Sequence, residues 1–173
     1  MKYSRIALVF VITALACLLN ALVLTAGGGS LPDDEEFLRK AAASAMKEFE
    51  LGQLAAINGE DNAVKSFGRR VVTDRITAVN KLKTLAARKG VTMPWELDPA
   101  SRSAVDRLSN LVGAEFDRAY LEMTCADHEN VLVDFSAQAD SGADREVKAF
   151  AAQRLPTLET HLRTARSTMA KLK

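Results

Sequence analysis

Four long stretches of this sequence repeat apolar side chains at helical spacing, and three of them close on a glycine; few folds accommodate that pattern. "PDDEEFLRKAAASAMKEFELGQLAAING" opens on acids suited to a helix N-terminus and closes at Asn58-Gly59. "DNAVKSFGRRVVTDRITAVNKLKTLAARKG" starts at Asp61 as N-cap and stops at Gly90. The loop "VTMPWELDPA" leads to a short helix with Asp98 as cap and Pro99 at its first position, reaching about Val112 before Gly113. "AEFDRAYLEMTCADHENVLVDFSAQADSG" is the next long helix, ended by Gly142, and Asp144 caps "DREVKAFAAQRLPTLETHLRTARSTMAKLK". Pro156 inside that last stretch should bend it. Only 9 Gly, 4 Pro and 6% aromatic residues interrupt a composition rich in helix formers.

Two long helices joined by a tight turn, a long connection, and two more joined by a tight turn predict an all-α fold. The arrangement is a ferritin-like four-helix bundle of two helical hairpins with a short crossover helix, by analogy of topology. The halves echo each other. "DNAVKSF" and "DREVKAF" both open the second helix of a hairpin, and "EEFLRKA" and "AEFDRAY" both open the first.

Residues 1–30 form a separate segment, ahead of a helical domain over 31–173. Lys2 and Arg5 precede an apolar run to about Ala26, followed by glycines, which is the pattern of a secretory signal. The run is also long enough to span a bilayer, so a retained anchor is the alternative. Leu24-Thr25-Ala26 is an imperfect cleavage site, and the positive start directs the rest of the chain outward. The expected location is therefore the periplasm, free or membrane-anchored with the domain facing it, with membrane association through the N-terminal segment. "TALAC" around Cys17 matches a lipoprotein box poorly, because the residues after it are too apolar for a mature terminus. Cys125 is the only thiol of the helical part, which rules out a disulfide within it and suits a buried position. Lys+Arg 23 against Asp+Glu 22, with no basic run, gives no case for a nucleic-acid partner.

Helical periodicity turns some ionisable groups inward. The seam of the fourth helix runs Leu121, Cys125, His128, Leu132, Phe135, Ala139, which places His128 inside and Asp127 and Glu129 on its flanks. Arg75 falls in the stripe Val64, Phe67, Val71, Ala78, Leu82, Leu85, with Asp74 at its edge. Arg154 and His161 share the face of Val147, Phe150, Ala151, Leu158 and Ala165, and Glu48 lies on that of Phe37, Ala41, Ser44, Leu51 and Ala55. Buried charges must pair, so a structural network of Glu48, Asp74, Arg75, Asp127 and Arg154 is the first reading. The second is a metal site for iron, manganese or zinc on Glu48, Asp127, His128 and His161. Against it, a di-iron bundle wants Glu-x-x-His on two helices, whereas Glu159-Thr160-His161 has the wrong spacing and Arg75 is a permanent cation. Ser44, Ser66, Ser136 and the threonines are expected to have no base at helical spacing, no G-x-S-x-G turn occurs, and no glycine-rich phosphate loop is present. Trp95 is expected to plug one end of the helices. The seam alanines Ala41, Ala45, Ala78, Ala151 and Ala165 favour close packing over a lipid or small-molecule cavity.

"FLRKAAASAMKEFELGQLA", "AVKSFGRRVVTD", "LAARKGVTMP", "GAEFDRAYLEMTCADHENVLVDF" and "VKAFAAQRLPTLETHLRTA" together resemble the bacterial domain of unknown function 4142 family. Its members are often labelled outer membrane proteins, and its domain is classed with ferritin-like helical bundles. The resemblance implies an exported bundle without an established activity, and its usual features fall on Glu48, Asp74, Asp127, His128 and His161. Family members typically read Asp-His where this chain reads Asp74-Arg75, which replaces one potential ligand by a cation. The expectation is an exported, non-enzymatic bundle with a structural or interaction role, no cofactor and an unidentified protein partner. The alternative is a ferritin-like metal-binding or redox protein of the periplasm.

Overall fold

A computed structural model describes residues 33–172; the segment read as signal or anchor lies outside the described residues. Five helices, and no strand, occur among those residues: α1 (Asp34–Asn58), α2 (Asn62–Lys89), α3 (Pro99–Ser109), α4 (Gly113–Ser141) and α5 (Arg145–Met169). Four of them begin at an aspartate whose carboxylate accepts a backbone N–H of the first turn: Asp33, Asp61, Asp98 and Asp144. Gly90 ends α2 in the left-handed region (φ 68) and donates its N–H back to Ala86 and Ala87. The crossover helix stops at Ser109, short of Val112, and α5 runs unbroken through Pro156. Among the described residues no helix is long and apolar enough to cross a membrane.

Helices α1 and α2 form one hairpin and α4 and α5 another; α1 also packs on α4, and α2 on α5, while α3 lies against α1 and α4. The hairpins are latched end to end. Asp34, at the start of α1, accepts from the Gln138 amide and from Asp144 N (2.8 Å) at the far turn. Asp117, near the start of α4, accepts from Glu60 N (2.9 Å) and Asp61 N (2.7 Å) at the opposite turn. Asp34 and Asp117, Gly59 and Gly142, Asp61 and Asp144, Val64 and Val147, and Phe67 and Phe150 all correspond at one offset of 83 residues. This register corrects the alignment of "EEFLRKA" with "AEFDRAY" by one helical turn. A four-residue slip preserves an apolar helical stripe, so only the turn-binding aspartates discriminate between the two registers.

The core has two apolar clusters. One gathers Phe37, Ala45, Leu82, Phe135 and Leu158; the other gathers Leu51, Val71, Phe116, Tyr120, Cys125 and Leu162. On each long helix an ionisable residue separates them: Glu48 between Ala45 and Leu51, Arg75 between Val71 and Leu82, His128 between Cys125 and Phe135, His161 between Leu158 and Leu162. The polar side chains thus form one layer across the middle of the domain.

Candidate functional site: a buried ionic layer

Glu48 and Arg75 meet at the centre of that layer. Arg75 Nη2 lies 2.6 Å from Glu48 Oε2, with both side chains 4% exposed. The contact is an ion pair off the hydrogen-bond direction, since Glu48 Oε2 and Arg75 Nε have no aligned hydrogen-bond partner among the described residues. Ser44 Oγ donates to the other carboxylate oxygen at 3.0 Å, which corrects the expectation that Ser44 has no base at helical spacing: Glu48 stands one turn on, on the same face. Arg75 Nη2 also stands 3.3 Å from His128 Nε2, which is itself 3.4 Å from Glu48 Oε2 and 3.3 Å from His161 Nδ1. His161 Nε2 reaches Asp74 Oδ2 at 2.7 Å, and Asp74 is one-third exposed. A continuous line of polar contacts therefore runs from the buried Glu48 to the surface at Asp74.

The outer partners fix both imidazole tautomers. A carbonyl only accepts, so His128 Nδ1 carries the hydrogen that it donates to Thr124 O at 2.9 Å. A carboxylate likewise accepts, so His161 donates Nε2–H to Asp74. The inner nitrogens, His128 Nε2 and His161 Nδ1, then present lone pairs, and the Arg75 guanidinium offers a hydrogen to the first of them.

The electrostatics agree with that assignment. Desolvation lowers the pKa of His128; Glu48 opposes this and the Arg75 cation reinforces it. Desolvation, and next the Arg75 cation, bring His161 down to about 4. Desolvation pushes the Glu48 carboxyl up, but Arg75, His128 and Ser44 together outweigh it and hold the group below its ordinary value. At neutral pH the layer holds one carboxylate paired to one guanidinium, beside two neutral imidazoles.

The remaining sequence candidates fall elsewhere. Asp127 lies at the rim, where Lys47 Nζ contacts both its oxygens at 2.8 Å; it pairs with neither Arg75 nor Arg154, because its flank faces α1. Arg154 is buried near Asp74 and Glu48, but among the described residues it makes no ion pair and its Nη2 has no hydrogen-bond partner. Asp74 joins through His161 and not through an arginine. Sequence reading missed Lys47, Thr124 and Tyr120. Tyr120 is fully buried, its hydroxyl has no partner among the described residues, and burial raises its pKa. Trp95 is half-buried against the first apolar cluster, with Lys83 Nζ 5.0 Å from its ring centroid. Cys125 is buried and free, and burial raises its thiol pKa.

Next to the layer a void of about 10 Å³ touches Glu48, Tyr120, Thr124, Asp127 and His128. That is room for about one water molecule, not for an organic substrate. Among the described residues no three His, Cys, Asp or Glu side chains are gathered to hold a metal ion. Glu48 and His161 approach His128 Nε2 from two sides instead of closing round a centre, and the guanidinium occupies the place beside them. The residues as they stand do not fit iron, manganese or zinc.

Among known proteins, the profile of a family described as "Domain of unknown function (DUF4142)" matches residues 24–168. A DUF305 fragment from Deinococcus radiodurans is similar in structure with a TM-score of 0.73 at 17% identity, covering 82% of this chain and 97% of its own. A DUF305 protein of Streptomyces coelicolor, named as predicted to be secreted, gives 0.69 at 14% identity, covering 80% and 91%. At such identities the likeness concerns the fold. No curated protein matches the sequence significantly.

Proposed function

The chain belongs to the family described as Domain of unknown function (DUF4142), and from that premise we propose an exported, non-enzymatic helical domain that acts through its surface. In this reading its architecture is a ferritin-like four-helix bundle of two hairpins. Residues 1–30 carry it into the cell envelope, as a cleaved signal or as an anchor that leaves the domain in the periplasm. The predicted secretion of one structural neighbour favours export.

One observation carries the non-enzymatic reading: at the centre of the described residues Glu48 is paired to Arg75, His128 and His161 are each held by an outer acceptor, and the void beside them is only about 10 Å³. A substrate would need far more space than that to reach these groups. The surface role implies a protein partner and no nucleic acid, since the net charge is +1. Complementation of a deletion strain tests the reading. A folded His128→Gln chain should restore the wild-type phenotype, and failure of that folded variant would place chemistry in the layer. Cell fractionation with N-terminal sequencing tests the location: mature chains beginning near Gly27 mean cleavage, an intact start in the membrane fraction means anchoring, and a cytoplasmic chain with an intact start refutes export.

The metal-binding rival draws on the 3.3–3.4 Å spacing of Glu48, His128 and His161 donors. Stoichiometric iron, manganese or zinc in protein purified without chelator, lost in His128→Ala, would favour it.

A further inference from the structure

The centre of the layer brings one carboxylate and two imidazole donors against a side-chain cation, in a row through His128 and not closed round one point. Around a tetrahedral metal with bonds of about 2.0–2.1 Å, neighbouring donor atoms lie about 3.3–3.4 Å apart. Glu48 Oε2 to His128 Nε2 is 3.4 Å, and His128 Nε2 to His161 Nδ1 is 3.3 Å. Each imidazole is oriented from behind, His128 by the Thr124 carbonyl and His161 by the Asp74 carboxylate, so that its lone pair points inward. Those are the outer contacts that fix tautomer and ring orientation at metal centres. All three donors are nearly inaccessible to solvent, since Glu48 is 3%, His128 0% and His161 1% exposed. What sits against them is Arg75 Nη2, 2.6 Å from the carboxylate and 3.3 Å from His128 Nε2.

We propose that the Arg75 guanidinium is a built-in substitute for a metal cation: it caps the donor set of Glu48, His128 and His161, and removing it turns the layer into a transition-metal site. The same charge explains why native Arg75 and a metal exclude each other. Both need the Glu48 oxygen, and a divalent ion beside a fixed guanidinium would meet like charge at contact distance. With the guanidinium gone, Glu48 is free to rotate toward the two lone pairs and complete a three-donor site, whose fourth position a water can take. Neutral imidazoles with one carboxylate suit zinc among the divalent ions, over calcium or magnesium. Arg154 is a competing cation: it is buried near Glu48 and Asp74, and its Nη2 has no partner among the described residues.

The test is zinc retention and thermal unfolding of the folded domain for wild type, Arg75→Ala, and Arg75→Ala with Arg154→Ala. Each is loaded with zinc chloride, gel-filtered and assayed for metal, and each is melted with and without zinc. The double variant removes the competing cation. Expected is retention of about one zinc per chain in at least one of the two variants, tighter than wild type by at least about 100-fold. It should come with a raised Tm that a chelator reverses and magnesium does not reproduce. Adding His128→Gln should abolish both effects. A variant that unfolds without metal should recover its helical circular dichroism on zinc addition. Zinc retained equally by wild type, retained despite His128→Gln, or absent from both variants would overturn the proposal; so would failure of zinc to fold or stabilise either variant.

Discussion

Asp117 binds the turn of the first hairpin as Asp34 binds the turn of the second: each aspartate stands near the start of one hairpin and accepts a backbone N–H from the other. The two positions are separated by the same 83 residues as Gly59 and Gly142. The domain is closed at both ends by one device used twice.

Removing that device should weaken the docking of the hairpins. Asp117 is 1% exposed and accepts two backbone N–H groups, from Glu60 and Asp61. Asp117→Ala leaves both donors without the carboxylate at a part-buried turn, a cost of about 2–3 kcal/mol for lost charge-assisted bonds. Urea unfolding should show the midpoint shift with an unchanged slope. A change below about 0.5 kcal/mol would mean that water replaces the carboxylate.

The inward faces of α2 and α5 were legible because each carries a single apolar stripe, so Arg75, Arg154 and His161 could be placed from helical angle alone. Angle gives the direction of a side chain but not its partner. Asp127 and Arg154 show the difference: one finds Lys47 on the neighbouring helix, the other no acid, though both have plausible partners on a helical wheel. Thr124 and Tyr120 escaped notice because a threonine and a tyrosine on a helix look unremarkable until His128 and the void are beside them. Asp117 and Gln138 carried no local signal at all. Their partners lie 57 and 104 residues away, and only the correct repeat register would have connected them.

Arg75→Ala in the absence of added metal should destabilise the domain by about 3 kcal/mol or more, because Glu48 then remains buried without its counter-charge. Replacing both partners isolates the cause. Glu48→Leu with Arg75→Met removes charge and counter-charge together and should recover most of the loss, since an apolar pair of similar volume often equals a buried ion pair. Equal losses in the single and double variants would mean that Arg75 acts by packing, not by neutralising Glu48.

Stability should fall on mild acidification. His161 has a folded-state pKa of about 4 against an ordinary value of 6.5. Between those values the unfolded chain binds a proton that the folded chain refuses. The His161 contribution is thus complete above pH 6.5 and is lost as pH falls toward about 4, amounting to about 3 kcal/mol across the window. His128 is lowered as well and acts with the same sign. Glu48 is held below its ordinary value of 4.5, so its protonation removes further stability only on the acid side of that value. Unfolding free energies at constant ionic strength should be flat above pH 6.5 and slope downward beneath it, and His161→Gln should flatten the slope by about one proton. An unchanged slope in that variant would assign the acid sensitivity to other groups.

The crossing of α1 and α2 depends on the absence of a single atom. A Cβ at Gly68 would lie 2.7 Å from Gly52 O, 2.8 Å from Ala55 Cβ and 2.8 Å from Ala56 N. Two of these are backbone atoms of α1 and cannot move aside without the helix. In an isolated helix Gly→Ala would be favourable by about 1 kcal/mol. Here steric overlap opposes that gain, and forcing two packed helices apart costs about 1–3 kcal/mol. Gly68→Ala should therefore lower the Tm although it improves helix propensity. Gly90→Ala supplies the contrast: no atom lies within 4 Å of its Cβ, but its φ of 68° is left-handed. Its penalty should be about 1–2 kcal/mol and purely conformational, so Gly90→Asn, which tolerates that region, should restore much of the stability. Gly68→Asn should restore nothing, because at Gly68 the obstacle is the neighbouring helix. A Gly68→Ala domain with raised Tm would show that α1 and α2 can separate without penalty.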